Sequence, residues 1–139
     1  MTSGPKELNE AFVRSLPDEG PVTMVNLVRF KERSADGNGT GWDAYTRYSG
    51  AIPALLRDVG GVILWAGKAE GAAYGDLSAR HWDFVVLVRY PSRAAFLDMV
   101  TSAEYALANV HRENGVDEHV ILASTETYSK LSPSMTQGR

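Results

Sequence analysis

Four polar residues interrupt runs that otherwise look like apolar strands. Asn26 and Arg29 lie in VTMVNLVRFK, and Asp83 and Arg89 lie in WDFVVLVRY. Polar groups carried into an interior must be paired there. Two readings stand for them. Each can be a salt bridge at an interface or a strand-end charge at the surface. Alternatively, Asn26 and Arg89 enter a pocket beneath helices and hold a carboxylate or an enolate, for which a guanidinium offers a planar fork of donors. Tyr45, Tyr48, Trp65, Trp82, Tyr90 and Tyr105 form an aromatic set. They read as core, or as the wall of a small-ligand cavity whose hydroxyls orient the guest. His111-Arg112 falls late in a helical region. His111 reads as a general base near neutral pH, or as a cation meeting a helix C-terminus. His81 and His119 stand at strand starts and read as surface residues.

The candidate site is therefore His111, Tyr45 and Arg89 as catalytic groups, with Asn26, Tyr48, Trp65, Trp82, Tyr105 and Arg112 contacting a substrate. Three scattered histidines and no cysteine give no metal-ligand spacing, so no metal and no cofactor are expected. There is no GxSxG nucleophile motif. Gly67, Gly71 and Gly75 are not spaced as a phosphate loop and open no helix.

These residues need elements to position them. Trp82–Tyr90 is rich in aromatic and β-branched residues and reads as a strand. Pro91 closes it, and Ser92 is an N-cap for the helix carrying Phe96 and Met99. Val22–Lys31 is an earlier strand, apolar on both faces. Between them, Trp42, Tyr45, Ser49, Ile52, Leu56 and Val59 step by three or four, which predicts a helix over 42–59 with Thr40 as N-cap, Gly60-Gly61 as stop and a kink near Gly50 from Pro53. Glu32–Gly41 reads as a mobile polar loop, either a plain connection or a lid. Val62 to Tyr74 is expected as a second strand weakened by Gly67 and Gly71, and His119–Tyr128 as a fourth. A further helix over Ala103–Glu113 starts after a break at Thr101-Ser102.

The 139 residues suit one domain with a core of its own. Residues 1–19 form an N-terminal extension with a short helix, 20–128 the main domain, and 129–139 a flexible tail or an arm over a partner. The net charge of −3 gives no basic surface for nucleic acid. No run approaches the ~20 apolar residues of a membrane span, and no secretory leader is evident. A cytoplasmic protein is the default expectation.

The order β, α, β, β, α, β is the ferredoxin-like, split-βαβ order of an α+β protein: a four-stranded antiparallel sheet with helices on one face. One helical layer covers one face of a sheet. At least three strands are apolar on both faces, so a second copy of the sheet is the expected cover, giving a homodimer. Coverage by the tails is the rival explanation.

The residues also resemble the DUF1330 family of the dimeric α/β-barrel superfamily. The resemblance rests on Asn26-Leu27 with Phe30, Tyr45 and Tyr48, Gly60-Gly61, Trp65-Ala66-Gly67, and Trp82-Asp83. Its most specific piece is Arg89-Tyr90-Pro91-Ser92-Arg93 with Phe96 and Met99, followed by Tyr105 and His111-Arg112. It implies a ferredoxin-like fold that dimerises through its sheets. It implies no settled activity, although superfamily members include cofactor-free monooxygenases, cyclases and isomerases. The expected function is a small-molecule-binding homodimer. A cofactor-free enzyme on an aromatic or enolisable substrate, and a purely structural dimer, are the alternatives.

Overall fold

A computed structural model of the chain describes residues 4–76 and 81–131. Its elements run α1 (Glu10–Ser15), β1 (Val22–Phe30), α2 (Gly41–Val59), β2 (Val62–Lys68), β3 (Phe84–Tyr90), α3 (Arg93–Val100), α4 (Ala103–Gly115) and β4 (Val116–Ser124). The strands form one antiparallel sheet in the order β2-β3-β1-β4. This is the ferredoxin-like α+β fold.

Local chemistry sets the helix ends. At α2 the Thr40 hydroxyl accepts from the Asp43 amide at 3.1 Å, and the Asp43 carboxylate accepts from the Thr40 amide at 2.9 Å. Two orphan amides are satisfied by this reciprocal pair. Gly60 ends the helix in the left-handed region at φ 79°, where a Cβ would be strained. Ser92 and Ser102 cap α3 and α4 through the amides of Ala95 and Tyr105, each at 3.0 Å. α2 runs through Pro53 as one helix.

The pleat then sorts the side chains. In β1, Val22, Met24, Asn26 and Val28 are buried. With Val86, Val88 and Tyr90 of β3 they meet Tyr45, Tyr48, Ile52 and Leu56 of α2 and Phe96, Leu97 and Met99 of α3. The opposite parity, including Val25, Leu27, Val85 and Leu87, faces away from the helices and is half-buried.

Several boundaries differ from expectation. β2 stops at Lys68 rather than near Tyr74, and its register shifts between Ile63 and Trp65 instead of at the glycines. β3 begins at Phe84, and β4 begins at Val116 and ends at Ser124. Residues 77–80 of the expected turn and 132–139 of the expected tail lie outside the described residues. Described residues of the C-terminal stretch, Tyr128 to Leu131, flank a shallow cleft on the outer sheet face with Val25, Leu64 and Leu87.

The loop expected to be mobile is fastened. Ser34 is buried, and its amide donates to the Gly39 carbonyl at 2.9 Å. The Ala35 amide reaches the Asn114 carbonyl at 2.9 Å, and Asp36 accepts from the Ser34 hydroxyl at 2.6 Å and the Asn38 amide at 2.9 Å. These bonds tie the loop to the end of α4. No residue of 32–41 lines the cavity described below, so the lid reading does not hold.

The same corner brings the start of α2 against the end of α4. A Cβ on Gly41 would overlap the Lys31 carbonyl, and one on Gly115 would overlap the Gly41 carbonyl and stand 2.8 Å from the Ala44 Cβ. Backbone crowding of this kind does not relax through a rotamer change. Gly115→Ala is therefore expected to destabilise the fold by about 1–3 kcal/mol. Gly50→Ala, in open space on an exposed helix face, should stabilise it by about 0.5–1 kcal/mol. Urea unfolding of both variants checks the pair, and equal midpoints would refute the crowding argument.

Candidate functional site

Between the inner sheet face and α2, α3 and α4 lies a cavity of about 300 Å³. That is near the lower end of ligand clefts, about 300–1,000 Å³. Met24, Asn26, Phe84, Val86 and Val88 contribute from the central strands, and Ile63 and Ala66 from β2. Trp42, Tyr45, Tyr48, Ser49 and Ile52 project from α2, one helical face brought over the sheet by its 3.6-residue period. Phe96, Met99 and Tyr105 close the far side.

The wall is aromatic with hydroxyl handles. Phe30, Trp42, Tyr45 and Phe84 pack at centroid separations of 5.1–6.2 Å. The Tyr48 and Tyr105 hydroxyls share a hydrogen bond of 2.8 Å, with the rings nearly perpendicular at 87°. Burial, with Tyr105 close by, pushes Tyr45 up to about 12. Burial and the neighbouring Tyr105 hydroxyl hold Tyr48 well above the ordinary tyrosine value. These hydroxyls stay protonated near neutral pH and act as hydrogen-bond groups, not bases.

Behind this wall runs a buried polar chain. The Arg112 guanidinium donates to Asn109 Oδ1 at 2.6 Å, the Lys6 carbonyl at 3.0 Å and Glu113 Oε2 at 3.3 Å, and stands 3.0 Å from His119 Nδ1. A guanidinium has no acceptor, so His119 Nδ1 must accept. The imidazole proton then sits on Nε2 and is given to Asn26 Oδ1 at 2.8 Å. The Asn26 amide nitrogen donates in turn to the carbonyls of Met24 at 3.1 Å and Val86 at 3.2 Å. Every partner in the chain is satisfied in one direction, which locks the rotamer of Asn26 at the cavity.

Of the expected site residues, the structure brings Asn26, Tyr45, Tyr48 and Tyr105 together at the cavity. Arg89 and Trp65 lie on the other side of the sheet. Arg89 pairs with Thr23 and Val62, and Trp65 with Leu87, all of the outward parity. The antiparallel register decides this: Asn26 is opposite Val86, not Arg89. Trp82 is half-buried just before β3 and does not line the cavity. His111 sits on α4 away from the lining, and its Nδ1 is buried with no hydrogen-bond partner among the described residues. Arg112 is buried one layer behind the cavity rather than at it. His119, expected at the surface, is 8% exposed and holds the chain together. Trp42 and Phe84 were missed as lining residues. Their signal was present, since Trp42 belongs to the stripe of α2 and Phe84 shares the parity of Val86.

His119 gives a pH test. Burial and the adjacent Arg112 charge lower it from 6.5 to about 3. The unfolded chain binds a proton near 6.5 and the folded chain does not, so this contribution is complete above pH 6.5 and is lost as pH falls toward 3. Unfolding free energy should fall on acidification by up to about 1.4 kcal/mol per pH unit within that window. Comparison with His119→Gln between pH 6.5 and 5.5 avoids most carboxylate titration. The variant should show a flatter profile, and parallel profiles would mean that His119 titrates normally.

The model of the DUF1330 family, a domain of unknown function, matches residues 39–125. The RPA0582 protein of Rhodopseudomonas palustris, of unknown function, is 31% identical to this chain. The match covers 92% of this chain and 100% of that one, with a TM-score of 0.79. A dimeric protein of unknown function and ferredoxin-like fold from Bacteroides fragilis is 12% identical over 79% of this chain and 100% of its own, at a TM-score of 0.54. The hydroxynitrile lyase of Passiflora edulis is 15% identical over 78% and 97%, at 0.56. The last two likenesses concern the fold alone. No curated protein matches the chain.

Proposed function

The chain belongs to the DUF1330 family, and on that footing we propose that it is a homodimer that binds a small molecule between its helices and its sheet. The observation that carries the reading is the cavity of about 300 Å³ with an aromatic wall and a tyrosine hydroxyl pair. A chain with a purely structural role has no reason to keep such a space, because interiors pack to high density and voids destabilise. Binding is favoured over acid–base catalysis by the lining. Among the described residues it contains no carboxylate, imidazole, amine or guanidinium. Its only ionisable groups are tyrosines, and burial holds Tyr45 and Tyr48 in their protonated form. The second reading, a cofactor-free enzyme of monooxygenase, isomerase or cyclase type, draws on the Tyr48–Tyr105 pair as a device for polarising an enolisable carbonyl.

The dimer rests on the outer sheet face. Trp65 is 47% and Leu122 53% exposed there, beside the apolar Leu27, Val85 and Leu87. An apolar face of this kind calls for a cover. The Bacteroides fragilis neighbour is described as dimeric. Among the described residues no helix is long and apolar enough to cross a membrane.

Native mass spectrometry tests both halves. The wild type should carry the mass of two chains, with a small adduct retained from the cell. Ser49→Phe, which fills the cavity, should lose the adduct and keep the two-chain mass. Leu122→Asp combined with Trp65→Asp should give single chains. A single-chain wild type would refute the dimer, and an adduct that survives Ser49→Phe would place the ligand elsewhere.

A further inference from the structure

The Tyr45 and Tyr90 hydroxyls and the Trp42 indole N–H belong to the wall as donors, and the hydrogen-bonded polar groups beside them define what else the cavity can offer a guest. Asn26 gives both amide protons to the Met24 and Val86 carbonyls, so it has no donor left. The Ser49 hydroxyl leans back on the Thr46 carbonyl of its own helix at 3.4 Å. Tyr48 and Tyr105 hold two hydroxyl protons between them and use one in their mutual bond. The second has no place in that bond and is available to an acceptor in the cavity. No charged side chain among the described residues lines the space. Arg112, behind the wall, is committed to four acceptors, His119 among them.

Resting on the reading of this cavity as a binding site, we infer that its ligand is an uncharged, flat, largely apolar molecule carrying a carbonyl-type acceptor that seats against the Tyr48–Tyr105 hydroxyl pair. An anion would lose its hydration and find no counter-charge, and isolated buried charges are strongly disfavoured. The same desolvation is what keeps Tyr45 and Tyr48 protonated. A cation would find ring faces on Trp42, Tyr45 and Phe84, but no carboxylate, and it would leave the spare hydroxyl proton unmatched. A neutral carbonyl accepts that proton and leaves its apolar body to the aromatic wall. The guest is also small, because the space is near the lower end of ligand clefts.

The test uses four probes on the full chain, read by calorimetry or by tryptophan fluorescence. They are 2-acetylnaphthalene, 2-ethylnaphthalene, 2-naphthoate and phenyltrimethylammonium. The ketone should bind about three- to tenfold tighter than the ethyl compound of the same shape, the range expected for one hydrogen bond, and tighter still than either ion. Tyr48→Phe or Tyr105→Phe alone leaves one hydroxyl with a free proton, so each should keep the preference. The double variant should abolish it, with little loss of stability because both partners of the bond are removed together, and a preference that survives it would place the acceptor on another donor of the wall and overturn the seat at this pair. Equal binding of ketone and ethyl compound would overturn the acceptor inference while leaving the cavity as a binding site. Tighter binding of either ion would overturn the uncharged class. Binding of none of the probes to the wild type would overturn this inference. A native adduct still lost in Ser49→Phe would then leave the cavity reading standing, and an adduct absent or unmoved would remove both.

Discussion

The buried guanidinium of Arg112 is the constraint on which this corner of the fold depends. A charge taken out of water needs full hydrogen bonding, and removing one partner of such a group is commonly far costlier than the bond itself. Arg112 finds its four acceptors on three segments of the chain: the Lys6 carbonyl near the N-terminus, Asn109 and Glu113 of its own helix, and His119 of β4. The connection then passes through His119 to Asn26 at the centre of the sheet. Lys6 adds a second tie, its ammonium donating to the carbonyls of Glu113 at 3.0 Å and Val116 at 2.8 Å. The amide of His119 donates to the Pro5 carbonyl at 3.0 Å. Pro5 and Lys6 are thus part of what keeps the start of β4 and the histidine buried.

This arrangement has a chemical consequence at the cavity. The polar chain is oriented from guanidinium to imidazole to amide, and it ends on backbone carbonyls. It presents the cavity with a fixed, neutral Asn26 and no mobile proton. A histidine that would titrate near neutrality in water is kept uncharged by its place in the chain. Positive charge is close to the site but shielded from it by one layer of side chains. The cavity itself offers an aromatic wall with hydroxyls, a surface suited to shape and one or two hydrogen bonds rather than to charge.

The sheet has two different faces. The inward parity of β1 and β3 supplies core and cavity, while the outward parity supplies the apolar face that calls for a second copy. Because strand side chains alternate, a residue cannot serve both. Arg89 and Trp65, chemically attractive for a site, belong to the outward set. Tyr128 and Leu131 border that face at one end, so its open part lies toward Leu27, Val85 and Trp65.

Much of the fold could be read from the chain alone because its signals are local. The capping box of Thr40 and Asp43, the serine caps of α3 and α4, the Gly60 stop and the helical stripe of α2 all depend on residues within four positions of one another. So does the element order, which follows from changes of period. The tyrosines of the cavity, Tyr45 and Tyr48, were legible for the same reason, since they share the stripe of one helix. The rest was decided by contacts between distant residues. Whether Arg89 faces inward with Asn26 depends on the register of β1 against β3, some sixty residues apart in sequence. The placement of Trp65 depends on a bulge that resets the parity of β2. The burial of His119 depends on Arg112 and on Pro5 and Lys6, more than a hundred residues upstream. Sequence determines which faces each element has; only the folded chain decides which faces meet, because pairing register and desolvation belong to the assembled whole and not to any segment.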